Sequence, residues 1–351
     1  MSRRGVALVV AGVCLAVALV VAWVRPVPYV AQGPGLVQDT LGEMEGKPLI
    51  AVEADKTYPT QGRLDFTTVS VTRPGARLTL GDALMVWLNP DRRLVPRDLY
   101  YPPDQTVEEA EELSTLQMSS SQDAAAVAAL REMGYDVALP VAVLDVSEGA
   151  PAGGHLRAGD VIRAVEGKPV RRVDRVSELL QSVDPGDEAT ITVRRSGSPM
   201  TVTTPTEESS DEPGRTVVGV QVGVKPKMPF KVRFHVDADV GGPSAGLMFA
   251  LSIVDRLTPG ALTGGLHIAG TGEIGVDGSV GAIGGVGLKI AAAEDAGATV
   301  FLVPAGNCTE AASQDPDDIR LVRVTRLSGA VTALERLAAD EDAPVPECAS
   351  G

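Results

Sequence analysis

The chain of 351 residues is short of several residue types that mark common classes of site. Its 31 lysines and arginines are outnumbered by 46 aspartates and glutamates, and the resulting net charge of −15 argues against a nucleic-acid partner. It has three histidines and three cysteines, with no HExxH motif or Cys-His cluster, so we predict neither a metal nor another cofactor. No GxxxxGKS or GxxxxGKT phosphate loop occurs, so we expect no ATPase module in this chain.

What the chain does contain is a turn of small residues ahead of an apolar run. Residues 241–246 read GGPSAG, and residues 247–254 are apolar nearly throughout, which predicts a buried helix. The glycines permit unusual backbone angles, and the proline suits an early helical position. Ser244 would then lie where free backbone N–H groups point outward and can hold the oxyanion formed when a hydroxyl attacks a carbonyl. Ser244 is therefore the candidate nucleophile, with Gly242 and Ala245 as candidate supporting residues.

A candidate base follows in the glycine-rich, apolar segment of residues 281–293. Lys289 is the lone cation of this segment. Burial disfavours the charged form of lysine and can lower its pKa by several units from about 10.4. Bringing that pKa near 7 requires a shift of about 3 units, or about 4 kcal/mol, which a desolvated site can supply. We therefore predict Lys289 as the general base.

Together these segments resemble the proteolytic domain of the Lon family of serine proteases, which uses a Ser-Lys dyad. The resemblance covers roughly residues 215–340 and rests on five elements in the same order, namely GPSAG at 242–246, TGEI at 271–274, GxV at 278–280, IGG at 283–285 and Lys289. It implies Ser244 as nucleophile, Lys289 as general base and Thr271 as a hydroxyl that supports the lysine.

Two other interpretations of the serine stay open. The Gly-Pro-Ser segment also suits simple capping of a core helix, because serine is among the best N-caps. A Ser-His-acid arrangement would use His235 or His267 as the base, with Asp237 and Asp239 nearby, although both histidines fit ordinary strand positions. A carboxylate close to Lys289 would raise the pKa of that lysine and weaken it as a base, so we expect both aspartates to point away from the amine.

Residues 1–25 predict a transmembrane anchor. An uncharged run from Gly5 to Val24 follows Arg3 and Arg4, and about 20 such residues can span a bilayer. The two arginines favour a cytoplasmic N-terminus, so we expect a single-pass plasma-membrane protein with an extracytoplasmic catalytic domain. A cleaved signal peptide is the alternative, although no small-x-small cleavage site follows the run.

The remaining segments are divided by composition. Residues 26–133 predict an N-terminal extracytoplasmic region, strands first and helices later, with the polar patch at residues 119–122 breaking the helical part in two. Residues 206–215 are acidic and predict a linker. Residues 216–340, the Lon-like domain, alternate strands and helices, which indicates a mixed α/β domain, and residues 341–351 form a C-terminal tail.

Residues 134–205 resemble a bacterial PDZ domain. The motifs that carry the resemblance are GAPA at 149–152, LxxGDVI at 156–162, VxGKPV at 165–170 and Pro185-Gly186. Such domains add an extended peptide to an exposed strand edge and capture its carboxylate with backbone N–H groups. By position, the resemblance implies peptide binding at the loop of residues 134–139, by Tyr135, Val137, Ala138 and Leu139.

The cysteines leave an alternative open. Cys14 lies in the predicted span, whereas Cys308 and Cys348 lie near the C-terminus. In an oxidising compartment these two could pair and staple the tail to the catalytic domain, and two unpaired thiols are an equal alternative.

The predicted fold class is an α+β multidomain protein with an N-terminal transmembrane helix, a β-rich PDZ-like domain and a Lon-type α/β proteolytic domain. This combination resembles the bacterial membrane-anchored, PDZ-containing Lon-like proteases. It implies an ATP-independent serine endopeptidase that hydrolyses extracytoplasmic proteins or peptides, with the PDZ domain binding substrate or regulating cleavage. Lon-like domains commonly assemble into rings, so the resemblance implies a homo-oligomer. The alternative function is a non-catalytic, membrane-tethered PDZ scaffold or peptide-binding protein.

Overall fold

The computed structural model describes residues 3–73, 75–102, 105–210, 212–316 and 318–349. The chain divides into two compact units. The discontinuous unit is formed by residues 1–135 together with residues 230–351, and the inserted unit is formed by residues 136–229. Parts of the predicted segments lie outside the described residues, namely residues 1 and 2 of the anchor, residues 74, 103 and 104 of the region 26–133, Asp211 of the linker, residue 317 of the Lon-like domain, and residues 350 and 351 of the tail.

The N-terminal helix α1 (Arg3–Trp23) overturns the predicted membrane span. It has 21 residues, the first two of which are Arg3 and Arg4. Among the described residues, no helix combines the length and the apolar character needed to cross a membrane. The transmembrane helix in the predicted fold class is therefore wrong, and so is the predicted location as a single-pass plasma-membrane protein.

The first segment of the discontinuous unit continues with eight described strands and three further helices. The strands are β1 (Pro26–Val27), β2 (Tyr29–Asp39), β3 (Glu43–Met44), β4 (Lys47–Pro48), β5 (Ile50–Val52), β6 (Arg63–Val71), β7 (Leu78–Thr79) and β8 (Arg93–Pro96). The helices are α2 (Leu80–Trp87), α3 (Arg97–Tyr100) and α4 (Val107–Glu132). Thr106 and Glu109 form a capping box at the start of α4. The helix then runs unbroken through residues 119–122, so the expected break is wrong.

The inserted unit is built on a sheet and the helix α5 (Asp174–Leu180). Its strands are β9 (Val141–Val146), β10 (Val161–Val165), β11 (Lys168–Pro169), β12 (Glu188–Arg195), β13 (Ser198–Pro205), β14 (Glu207–Glu208), β15 (Thr216–Val217) and β16 (Val220–Val224). The main path of the sheet runs β13-β12-β10-β9-β16 with antiparallel neighbours. Side chains alternate along β12, where Ala189, Ile191 and Val193 are buried in the core of this unit.

The second segment of the discontinuous unit supplies six described strands and four helices. The strands are β17 (Val232–Phe234), β18 (His267–Gly270), β19 (Glu273–Ile274), β20 (Val280–Gly281), β21 (Val300–Pro304) and β22 (Arg320–Val324). The helices are α6 (Gly246–Leu257), α7 (Val286–Asp295), α8 (Cys308–Ala312) and α9 (Leu327–Ala339).

A six-stranded sheet joins the two segments of the discontinuous unit. Its order is β22-β21-β18-β6-β2-β8, with the first four strands parallel and the last two antiparallel to their neighbours. Phe66 on β6 packs edge-on against Phe249 on α6, with ring centroids 5.5 Å apart. Strands within residues 26–133, predicted as a region of their own, thus share a sheet and a core with strands of the second segment. The predicted mixed α/β architecture is confirmed.

Cys308 and Cys348 form a disulfide, which settles the alternative that the sequence left open. The chain next to the bridge pairs with β22: the N–H of Cys348 donates to the carbonyl of Leu321 at 3.1 Å, and the N–H of Arg323 donates to the carbonyl of Pro346 at 2.8 Å. The described tail is therefore attached to the sheet by backbone hydrogen bonds as well as by the disulfide. Cys14 is an exposed free thiol.

Candidate active site

Ser244 lies in the turn between β17 and α6, two residues before the helix begins, and it is half-buried. Every residue of α6 except Arg256 is buried, so the predicted buried helix is confirmed. Gly242 has a φ of 82°, in the left-handed region that favours glycine. The N-cap of α6 is Ala245, and no side chain caps the helix. Ser244 is therefore not a capping residue, which removes the simplest structural explanation for it.

Lys289 projects from the first turns of α7. The helix starts after Gly285, which has a left-handed φ of 73° and whose carbonyl accepts from the N–H of Lys289 at 3.2 Å. The neighbours Val286 and Ile290 belong to an apolar cluster, and Lys289 itself is 2% exposed. Its amine reaches the Oγ of Ser244 at 2.6 Å.

Thr271 completes a closed set of hydrogen bonds with these two residues. It directly follows β18 and is fully buried. Its hydroxyl donates to the carbonyl of Ser244 at 3.0 Å and accepts from the Nζ of Lys289 at 2.9 Å. The next N–H, from Gly272, also donates to the Ser244 carbonyl, at 2.8 Å. Thr271 and Gly272, at the end of β18, thus hold the backbone of Ser244, and Thr271 also holds the amine of Lys289.

Burial lowers the pKa of Lys289 from its usual 10.5 to about 7. The aspartates that could oppose this effect are engaged elsewhere, as expected. Asp239 pairs with Arg73 at 3.3 Å on the surface, and a carboxylate oxygen of Asp237 accepts from the N–H of Asp239 at 2.9 Å. A substantial fraction of the Lys289 amine is therefore neutral at pH 7 and able to accept a proton.

The histidines that the sequence offered as alternative bases contact other groups. The Nδ1 of His235 lies 2.8 Å from the carbonyl oxygen of Pro48. The Nε2 of His267 lies 2.6 Å from a carboxylate oxygen of the buried Asp65, at the opposite end of β18 from Thr271. Within the described hydrogen bonds, neither ring reaches Ser244, so the geometry favours the lysine as its partner.

The four residues proposed for peptide binding do not line one groove. Val137 is 1% exposed, and Ala138 is already bridged to Lys227, whose N–H donates to the Ala138 carbonyl at 3.0 Å. Tyr135 belongs to the discontinuous unit, where its ring contacts that of Phe230 at 5.7 Å. Leu139 is half-buried. The backbone that would have to receive a peptide at Ala138 is therefore occupied by this chain itself.

Two polar residues near the site carried no signal in the sequence. The Oγ of Ser121, on α4, donates to the carbonyl of Pro243 at 2.9 Å. The side-chain amide of Asn307 pairs with the backbone of Ile283, accepting from its N–H and donating to its carbonyl, both at 2.8 Å. Ser121 thus holds the turn that leads to Ser244, and Asn307 holds the segment that leads to Lys289. Neither residue lies in a motif that the sequence showed.

Two protein-family models match the chain. The PDZ domain model matches residues 115–206, and the Lon protease (S16) C-terminal proteolytic domain model matches residues 221–330. The chain therefore contains a PDZ domain and a Lon-type proteolytic domain, and the latter supports a serine peptidase. Among curated relatives, the Lon protease of Clostridioides difficile is 40% identical over 79 residues, which are 22% of this chain and 10% of that protein. The chain thus matches about a tenth of the length of this relative.

Solved structures that resemble the chain cover about a quarter of it. GtR34C from Geobacillus thermodenitrificans is 26% identical and covers 23% of this chain and 94% of its own, with a TM-score of 0.22. The PDZ domain of the SdrC-like protein from Listeria monocytogenes is 20% identical and covers 24% of this chain and 86% of its own, also with a TM-score of 0.22.

Proposed function

We propose that this chain is an ATP-independent serine endopeptidase in which Ser244 attacks the peptide carbonyl and Lys289 takes the serine proton. The observation that carries the proposal is the 2.6 Å contact between the Ser244 Oγ and a buried amine whose pKa is about 7. A neutral amine at this distance can accept the hydroxyl proton as the new C–O bond forms. It can then donate that proton to the leaving amine, and water releases the acyl group.

Thr271 has a positioning role in this proposal. Because its hydroxyl proton is directed to the carbonyl of Ser244, its oxygen presents a lone pair to Lys289. A neutral lysine that donates one N–H to Thr271 keeps its own lone pair free for the Ser244 hydroxyl. The threonine would therefore select the orientation of the amine that works as a base.

Backbone N–H groups next to Ser244 would stabilise the oxyanion. Among the described residues, the N–H groups of Ser244 and Ala245 donate no hydrogen bond, whereas the N–H of Gly242 is used by the Ser114 carbonyl at 3.3 Å. Free donors held rigidly at the nucleophile are what a developing oxyanion requires. This favours Ala245 over Gly242 as the supporting residue and adds Ser244 itself.

The PDZ domain is proposed to bind extended peptide at the outer edge of β16. This strand ends the main path of its sheet and, among the described residues, pairs with β9 only. Gln181, which follows α5, binds both the N–H and the carbonyl of Thr216 at 3.2 and 3.1 Å and so holds β15, the short strand that precedes β16, beside the helix. An unpaired strand edge of this kind is what β-augmentation uses. The role of the bound segment as substrate or regulator stays a prediction, and so does the assembly of the chain into a homo-oligomer.

The proposal is tested by cleavage of an unfolded model protein such as casein without ATP. We expect the wild type to cleave, the Ser244→Ala variant to show no turnover above the blank, and a Ser313→Ala control at an exposed position to match the wild type. The scaffold alternative predicts the same result for all three proteins. Equal rates for the wild type and Ser244→Ala would therefore reject the proposed nucleophile.

The rate of cleavage is expected to rise with pH through about 7, because only the neutral form of Lys289 accepts a proton. Below that value the amine is increasingly protonated, so kcat/KM should fall about tenfold per pH unit. The measurement is kcat/KM between pH 5.5 and 9 for the wild type and for His235→Asn. The rising limb should be the same in both proteins, and a flat profile over this range would contradict the role of the amine.

A further inference from the structure

Helix α4 packs directly against the turn that carries Ser244, although the residues of this helix lie outside the Lon family match. A Cβ at Gly241 would collide with the Ser114 side chain, and a Cβ at Gly246 would lie 2.8 Å from the Oγ of Ser121. Ser114 and Ser121 are seven residues apart and so lie on one face of the helix. This face of α4 therefore packs against Gly241 and Gly246, which lie on either side of Ser244.

Ser121 makes the contact nearest to the nucleophile. Its side chain is buried, with 5% exposure, and its hydroxyl donates to the carbonyl of Pro243 at 2.9 Å. This carbonyl and the N–H of Ser244 belong to the same planar peptide unit, in which the two groups point in opposite directions. Fixing the carbonyl towards α4 therefore directs the N–H of Ser244 away from the helix. Among the described residues that N–H has no acceptor.

We propose that Ser121 is a positioning residue for the oxyanion site, where its hydrogen bond sets the direction of the Ser244 N–H. The inference rests on the proposed function, because it requires an oxyanion at Ser244. Without the hydroxyl of Ser121, the described contacts leave the Pro243 carbonyl only the longer hydrogen bond from the N–H of Gly246 at 3.4 Å, so the peptide plane is held less firmly and the donor is less well aligned with the transition state. Because oxyanion donors act chiefly in the transition state, substrate binding should change little.

The test compares Ser121→Ala with Ser120→Ala, a neighbouring serine that is exposed on the same helix. Removing one oxyanion donor typically lowers kcat by about 10²–10³, so misaligning one should lower it by about 10–100-fold. KM should stay within about twofold, and the inhibition constant of a peptide boronate should weaken by the same factor as kcat. Ser120→Ala should match the wild type in all three quantities.

A second variant distinguishes the loss of the hydrogen bond from a loss of folding. Ser121→Cys keeps the volume of the side chain with a weaker donor, and its kcat should lie between those of the wild type and Ser121→Ala, with circular dichroism unchanged in all variants. An unaltered kcat and boronate affinity in Ser121→Ala would overturn the positioning role. Wild type and Ser244→Ala are assayed alongside, because equal rates in that pair reject the proposed function itself and this inference with it.

Discussion

Lys289→Met is expected to be inactive in cleavage yet more stable than the wild type. The lowering of the lysine pKa from 10.5 to about 7 corresponds to about 5 kcal/mol of burial cost at ~1.4 kcal/mol per unit. Methionine has a similar length and no charge to desolvate, but it loses the hydrogen bonds to Ser244 and Thr271, worth about 1 kcal/mol each. We therefore expect a net gain of about 2–4 kcal/mol near pH 6–7.

The gain should depend on pH in a definite direction. Below pH 7 the amine is charged in both the folded and the unfolded protein, so the folded state bears the full cost of burial. Between pH 7 and 10.5 the folded amine is neutral while the unfolded one is still protonated, and the cost shrinks as pH rises. Wild-type stability should consequently rise with pH relative to Lys289→Met, and the advantage of the variant should disappear towards pH 10.5.

Urea unfolding at pH 6, 8 and 10 checks the stability, and cleavage of casein checks the activity. We expect a loss of about 10³-fold or more in kcat/KM for Lys289→Met, within the range for removal of a general base. Lys231→Met, at an exposed position, is the control and should leave both quantities unchanged. A Lys289→Met variant that is less stable than the wild type at pH 6 would mean that the site stabilises the ammonium form, which a general base cannot use.

Much of the candidate site was predictable because its parts are local in sequence. The small residues around Ser244 and the apolar setting of Lys289 specify a turn before a buried helix and a desolvated amine, and the structure brings the two side chains to 2.6 Å. The direction of the lysine pKa follows from burial alone. What the motifs could not supply is Ser121, because a serine in a polar patch of a helix has the same local pattern whether it faces solvent or a carbonyl 122 residues away.

The domain division was less predictable, for a related reason. Strand β6 is half buried and β-rich, which the sequence indicates, but its pairing with β18 joins residues about 200 positions apart and is decided by packing. The PDZ resemblance predicts a domain boundary at residue 134, close to where the inserted unit begins. It does not indicate that the strands after the inserted unit join the same sheet as the strands before it. The uncharged N-terminal run and its flanking arginines predict a membrane span, whereas no helix among the described residues is long and apolar enough to form one.

Opening the Cys308–Cys348 bridge is expected to destabilise the discontinuous unit strongly. The bridge joins residues 40 positions apart, and the loop-entropy model assigns about 4 kcal/mol to a loop of that length. Its position also matters for the site. Asn307, the residue before Cys308, holds both backbone groups of Ile283 at 2.8 Å, two residues ahead of the left-handed Gly285 that starts the helix of Lys289.

The measurement is urea unfolding of the wild type with and without a reducing agent and of Cys348→Ala, with cleavage of casein followed at each urea concentration. Reduction and Cys348→Ala should lower the unfolding free energy by about 3–4 kcal/mol, and activity should be lost at lower urea because the Asn307 contact to the lysine segment opens with the tail. Cys14→Ala, which removes the exposed thiol, should unfold like the wild type and respond equally to reductant. An unfolding midpoint unmoved by reductant, once thiol titration shows the bridge open, would contradict this role and leave the tail's hydrogen bonds to β22 as its main attachment.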